Sequence, residues 1–392
     1  MGLLCFKNER SPDDRTKSVG GDPINRFFMA GMGSAGKSTI IRQLQSLCQT
    51  NSSYKFCSED WTEKKLTDID QNIWQDTIRK NILDCFDIFS KMTRMVDEKF
   101  EKEENKEFAL KIENICDNDD ELEPLIIDDE FRQNLINLFE DSAIKNMIKM
   151  SNKMSLPHKK LFDGFQHFFT IKKITEVFQD DYNPSFDDKV HSRRPTTDME
   201  PYRFMLHKTK IELTDVGGQK SELLRLTDFL TSWCYQSKED DRNFILLVVS
   251  MSDYNVPHPV HSKYTLLDES VEYMRLLLNN PATEHCGLLI FFNKKDRFKE
   301  KLEDEQCRED IQYLKDYLST SQINTYASSG KYSEKTMFNA ITGKFVDIFK
   351  KKYPNKSCYC RNTCAVDSQM MEGIFATIRN EILNTKFYDL FP

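Results

Sequence analysis

Glycine is scarce in this chain, at 13 of 392 residues, less than half the usual frequency of ~7%. Between Gly36 and Gly164 there is none, and Pro124 and Pro157 are the only prolines there. A stretch without that punctuation cannot supply hairpins and short loops, so it is predicted to be mostly helical. Long apolar runs are also missing: 244-FILLVVSM-251 and 288-LLIFF-292 fall far short of the ~20 residues that span a bilayer. With 30% charged residues and a mean hydropathy of −0.61, the chain is not expected to cross a membrane. It lacks a basic excess, and a formal charge of −8 argues against nucleic acid as a partner. The 11 cysteines follow no secretory apolar segment and form no paired C-x-x-C, so reduced thiols in a cytosolic setting are expected. Cys358, Cys360 and Cys364 read as buried strand cysteines rather than as a zinc site.

What glycine there is has been concentrated. Gly31, Gly33 and Gly36 fall within six positions and Gly217 and Gly218 are adjacent, where backbone must take positive φ or press against a ligand. In the glycine-free stretch, Ile78, Ile82, Cys85, Phe89, Met92 and Val96 lay one apolar stripe along a helix predicted to begin near Trp61 or Thr62. A loop is expected at 117–124, with further helical patterns near 128–152 and 158–178. The flanks instead carry short apolar or alternating runs at 27–30, 202–207, 210–214, 244–250 and 288–292, several followed by a helical pattern. That cadence predicts a largely parallel α/β sheet, interrupted after its first strand and helix by an inserted all-helical domain. The length suits two or three domains at ~150 residues each.

Three segments carry chemistry. 31-GMGSAGKS-38 follows a predicted strand and opens a helix, where Gly31, Gly33, Ser34, Ala35, Gly36 and Thr39 can turn backbone N–H groups toward a di- or triphosphate. Lys37 adds positive charge at the outer phosphates, and the Ser38 hydroxyl can bind Mg²⁺. 215-DVGGQ-219 ends another predicted strand: Asp215 can hold the metal through water, Gly218 can offer its N–H to a terminal phosphate, and Gln219 can orient an attacking water. 293-NKKD-296 follows the LLIFF run. The Asp296 carboxylate can accept from N1–H and the 2-amino group of guanine, whereas adenine has neither donor. Lys294 can lay its stem on the ring and Asn293 can tie the loop together. An ordinary turn competes with each reading taken alone; the three together, in this order, favour nucleotide chemistry.

On these residues the chain resembles the α subunits of heterotrimeric G proteins, within the Ras-like GTPases. The helical insertion and 193-RRPTT-197 separate that family from small Ras-like GTPases. The resemblance implies a Ras-like P-loop GTPase domain with a mostly parallel six-stranded sheet, divided as 26–55 and 189–392, an all-helical domain at 56–188, and an N-terminal tail at 1–25. It implies that GTP is hydrolysed to GDP with Mg²⁺ as cofactor, Gln219 and Arg193 being catalytic and Thr196 joining Ser38 and Asp215 at the metal. Val190 and His191 match positions facing the nucleotide, a surface histidine being the competing reading of His191. Ala365 in 363-TCA-365 matches a loop whose N–H meets the guanine oxygen. The partners implied are a G protein-coupled receptor, an effector, a regulator of hydrolysis and a βγ dimer, at the cytoplasmic face of the plasma membrane. Leu223 and Leu226 stand where the family has an arginine and a tryptophan, and the N-terminal tail is short, which argues against βγ binding. Gly2 and Cys5 resemble acylation sites, although Phe6 stands where the myristoylation pattern asks for serine or threonine. Insertions within 227–242 and 303–331 are expected to be loops. A P-loop ATPase, and a nucleotide-holding scaffold with little hydrolysis, are the competing functions.

Overall fold

A computed structural model describes residues 23–65, 71–117, 126–154, 156, 159–194, 201–217, 226–261 and 263–383. Gly2, Cys5, Thr196, Gly218, Gln219 and Leu223 lie outside these residues. The described strands form a seven-stranded sheet, not six, in the order β2-β3-β4-β1-β5-β6-β7. β1 (Ile24–Ala30), β4 (Thr209–Asp215), β5 (Arg242–Ser250), β6 (Gly287–Asn293) and β7 (Tyr359–Asn362) run parallel. β3 (Pro201–Leu206) and β2 (Tyr54–Cys57) add an antiparallel edge. β2 escapes sequence reading because it has only four residues, too few to display a period.

The central strands are apolar on both faces, as helices covering both sides require. Phe28, Ile245, Leu247 and Ile290 face one core; Phe27, Met29, Leu246 and Phe291 face the other. Because β1, β4, β5 and β6 are parallel, their carboxyl ends share one edge, where Met29 pairs with Asp215 and Ser250 with Asn293. Open α/β sheets bind ligands outside that edge.

A third core belongs to the helical stretch. α2 (Gln71–Met95) presents Ile78, Ile82, Cys85, Phe89 and Met92, all buried, to α3 (Glu103–Asp117), α4 (Asp129–Glu140), α5 (Ser142–Met150), α6 (Phe165–Phe168) and α7 (Ile171–Val177). Two expectations fail here. Trp61 sits at φ +66 in a turn that Asp60 closes by accepting from Thr62, with Cys57 bridging to Glu63, so no helix begins there. Val96 lies beyond the helix end and is exposed. Local caps start the shorter helices: Asp128 accepts from the Phe131 N–H, Asp141 from Ala143 and Thr170 from Lys173. α8 (Phe186–His191) is opened by a capping box of Ser185 and Asp188.

The loop insertions expected within 227–242 and 303–331 are corrected in part, 236–241 carrying no helix or strand. The first contains most of α9 (Leu226–Tyr235). The second folds as a 3₁₀ segment, Glu305–Leu314, and α12 (Thr320–Ser329), after α11 (Lys295–Glu303); α10 is Leu266–Asn279. Polar spacing hid buried Cys307, Ile311, Leu314, Ile323 and Tyr326, while Ser319 and Gln322 supply a capping box. α13 (Glu334–Lys352) and α14 (Ser368–Leu383) complete the helices.

Candidate functional site

The residues that join β1 to α1 (Lys37–Thr50) form a loop that only glycine could close. Gly31 lies at φ +139 and Gly36 at φ +104. A Cβ on Gly31 would sit 2.2 Å from the Val248 carbonyl oxygen, and one on Gly36 would sit 2.2 Å from Asn293 Nδ2. Ser34 takes left-handed backbone at φ 65, a conformation few non-glycine residues adopt. The Lys37 ammonium donates back to the Gly31 carbonyl at 2.7 Å, and the Ser38 hydroxyl donates to Asp215 Oδ2 at 2.7 Å. Asp215 is buried at the end of β4. An oxygen-only pair of hydroxyl and carboxylate suits a hard cation such as Mg²⁺.

Asn293 ties two loops to this one. Its Nδ2 donates to the Ala35 carbonyl at 2.9 Å, and its Oδ1 accepts from Thr363 Oγ1 at 3.1 Å and from the Ala365 N–H at 2.9 Å. The Ala365 N–H, expected to meet a purine oxygen, here donates to Asn293 Oδ1. Lys294, at φ 60, starts α11 and forms an ion pair with Asp163. Burial, with Asp296 alongside, pushes the Cys364 thiol up to about 12, so it stays protonated.

These loops wall a cavity of about 510 Å³. Gly33, Ser34, Ala35, Gly36, Lys37, Ser38, Thr39, Asn293, Lys294, Asp296 and Ala365 line one side, and Val190, His191 and Arg193 another. Gly31 does not line it. Val190 is buried, and His191 is half-buried with its ring stacked on His167.

The opposite wall comes from residues the motifs did not flag. Asp163, just before α6, lines the cavity and pairs with Lys294; Lys160, behind it, pairs with Asp253. Burial disfavours the Asp163 carboxylate, yet Lys294 and Lys160 outweigh it and hold the group far below the ordinary carboxyl range. Behind them burial and the Lys160 charge lower Lys301 to about 8, while its ammonium donates to the Ser252 carbonyl at 2.8 Å and Asn255 Oδ1 at 2.7 Å. Arg193 is fixed through its main chain: its N–H donates to Asn81 Oδ1 on α2 at 2.7 Å. The guanidinium groups of Arg42 and Arg194 lie 4.9 and 5.2 Å from the Trp74 ring centre, within cation–π reach. Gly164 presses on α8 so closely that a Cβ would lie 1.9 Å from the His191 carbonyl oxygen. No periodicity signals these partners, since each is a single residue, in a loop or on a helix, whose role depends on a distant segment.

The model of the G-protein alpha subunit family matches residues 7–382. The chain is 25% identical to the guanine nucleotide-binding protein alpha-6 subunit of Dictyostelium discoideum, over 98% of both chains. It is 24% identical to the alpha-17 subunit of Caenorhabditis elegans, over 97% of this chain and 96% of that one. With the G(o) subunit alpha of Locusta migratoria the identity is 22% over 91% of this chain and 88% of the relative. The chain therefore belongs to the family of G-protein alpha subunits: it is a divergent guanine nucleotide-binding signalling switch that hydrolyses GTP.

Proposed function

We propose that the cavity between the 31–38 loop and the Asp163 wall holds GTP, and that the residues lining it perform the hydrolysis. The observation that carries this reading is the convergence of residues from three separate sequence segments, 33–39, 190–194 and 293–296, on one cavity. The loop N–H groups at the start of α1 favour bound phosphate, and Lys37 adds positive charge there. Ser38 and Asp215, joined by Thr196, would hold Mg²⁺, which when bound supplies charge neutralisation at the phosphates. Gln219 orients the attacking water, and Arg193 counters charge that develops on the transferred group. The Gly218 N–H and Thr196 hold the two switch segments while the terminal phosphate is present, and its loss releases them. Asp296 selects guanine, Lys294 packs on the base, and Asn293 keeps the loops in register.

The division into a GTPase domain (26–55 and 189–392) and a helical domain (56–188) accords with the separate apolar cores of the sheet and of the helical stretch. The working partners are a G protein-coupled receptor, an effector and a regulator of hydrolysis. Leu226 is buried in a sheet core, so this position offers no exposed aromatic ring to a βγ dimer. Acylation at Gly2 or Cys5 would place the chain peripherally on the cytoplasmic face of the plasma membrane. Among the described residues no helix is long and apolar enough to cross one.

Single-turnover hydrolysis of GTP tests the reading. Gln219→Leu and Arg193→Ala should each slow it on the order of a hundredfold or more, with GTP still bound. Equal rates in wild type and both variants would leave only a nucleotide-holding scaffold. Competition between GTP and ATP gives the second arm: Asp296→Asn should erode a preference for GTP by on the order of a hundredfold, as expected when a buried hydrogen-bond pair is lost.

A further inference from the structure

His167, Asp187 and His191 meet at the edge of the cavity, and nothing in the proposed hydrolysis uses them together. Asp187 and His191 are four residues apart on α8, so they share one face, and His167 reaches them from α6. His191 Nδ1 lies 3.3 Å from Asp187 Oδ1, and His167 Nδ1 lies 3.7 Å from Asp187 Oδ2. Candidate ligand atoms of all three fall within 4.8 Å of one another. Ligands bound tetrahedrally at ~2.0–2.1 Å from zinc stand ~3.3 Å apart, which the His191 separation matches and the His167 separation, to the other carboxylate oxygen, exceeds.

The second ring nitrogen of His167 already has the partner a metal-bound imidazole needs. Its Nε2 lies 2.7 Å from Asp188 Oδ1, and that buried carboxylate also accepts from Tyr182 Oη and the Ser185 N–H, both at 3.0 Å, and pairs with Lys173 at 2.7 Å. A carboxylate so held orients the imidazole with Nε2 as donor and leaves the Nδ1 lone pair directed away from it. The main chain is fixed as well, since Gly164 abuts the His191 carbonyl. The two rings are stacked with centroids 4.3 Å apart and planes 9° apart. A shared ion requires the His191 ring to turn about its broad imidazole torsion while His167 keeps its Asp188 contact.

We infer that His167, Asp187 and His191 form a binding site for a divalent transition metal of the zinc class, distinct from the Mg²⁺ pair, which pins α6 to α8 at the cavity edge. The ion takes the lone pair of His191 Nδ1, which in its absence lies 2.9 Å from the Asp187 carbonyl oxygen; the ring's proton then sits on Nε2, so a neutral ring only changes tautomer and a cationic one gives its Nδ1 proton to solvent. Imidazole and carboxylate ligands with open positions suit Zn²⁺ and Co²⁺.

The test is titration of the full chain with Co²⁺ in excess Mg²⁺, read by visible absorption, followed by calorimetry with Zn²⁺. One equivalent of Co²⁺ should bind with nitrogen and oxygen ligation and without a thiolate charge-transfer band. Asp187→Asn and His191→Gln should each weaken uptake by about tenfold or more, with unchanged thermal unfolding of the metal-free proteins showing that both remain folded. Absent uptake, uptake indifferent to both substitutions, or a thiolate band would overturn the site. A second arm rests on the proposed nucleotide reading: Zn²⁺ should slow GDP release severalfold in wild type and not in Asp187→Asn. Uptake without slower release would overturn the pin while leaving the site. A chain that took up metal but no guanine nucleotide would indict the nucleotide reading alone.

Discussion

A Cβ on Gly31 and a Cβ on Gly36 would each come within 2.2 Å of a neighbour, but the neighbours differ. Gly31 faces the backbone carbonyl of Val248 in the central strand, which cannot yield, whereas Gly36 faces the Asn293 amide, a side chain that can turn away. Gly31→Ala should therefore cost stability, about 1–3 kcal/mol from overpacking and forced positive φ, measured by urea unfolding. Gly36→Ala should lose less stability but weaken GDP binding by on the order of tenfold, because a displaced Asn293 releases Ala35, Thr363 and Ala365 together. Equal losses of stability in both variants would refute this distinction. At this scale the sequence was readable: a glycine-poor chain that concentrates glycine beside Lys37 announces backbone of unusual geometry. The use of the Ala365 N–H was not readable, since it depends on which acceptor lies within reach.

Among elements, the ion pairs of Asp163 with Lys294 and of Lys160 with Asp253 join the loop before α6 to the loops after β5 and β6. Asp163→Asn would strand the Lys294 cation in a mostly buried place, Lys160 keeping Asp253, costing on the order of 3 kcal/mol and speeding GDP release. The pH dependence has a definite sign. The folded-state carboxyl is held below its ordinary 3.8, so its contribution is complete above that value and is lost as pH falls through the folded one. The stability gap between wild type and Asp163→Asn should stay constant from neutral pH to pH 5, a range about one unit above that 3.8. It should narrow only in stronger acid, as followed by urea unfolding at each pH. Trp74, between Arg42 and Arg194, supports the segment that carries Arg193. Trp74→Leu should remove about 1 kcal/mol per cation–π contact and slow single-turnover hydrolysis more than it weakens GDP binding. A matched fall in both would mean general loosening of the helical stretch. The α2 stripe was legible from its period. The seventh strand and the folded 303–331 segment were not, because short or polar elements gain their order from neighbours.

For the whole molecule, the cavity lies where the sheet edge and the helical stretch face one another, so a ligand filling it touches both. Saturating GDP at ~100-fold over its Kd should add about 2.7 kcal/mol and raise the unfolding temperatures of the sheet and helical cores together. Scanning calorimetry in which only one transition moved would contradict a shared site. What the amino-acid sequence determined alone was local: helix period, strand alternation, glycine placement, and the residue types that suit phosphate, guanine and a hard cation. These follow from forces acting over a few residues, and so they survive without knowledge of the fold. Tertiary structure decided which distant groups meet: Asp163 with Lys294, Asn81 with the Arg193 N–H, and His167 with Asp187 and His191. Such encounters depend on how the helical stretch packs back on the sheet, a choice made by the three apolar cores collectively and carried by no single segment of the chain.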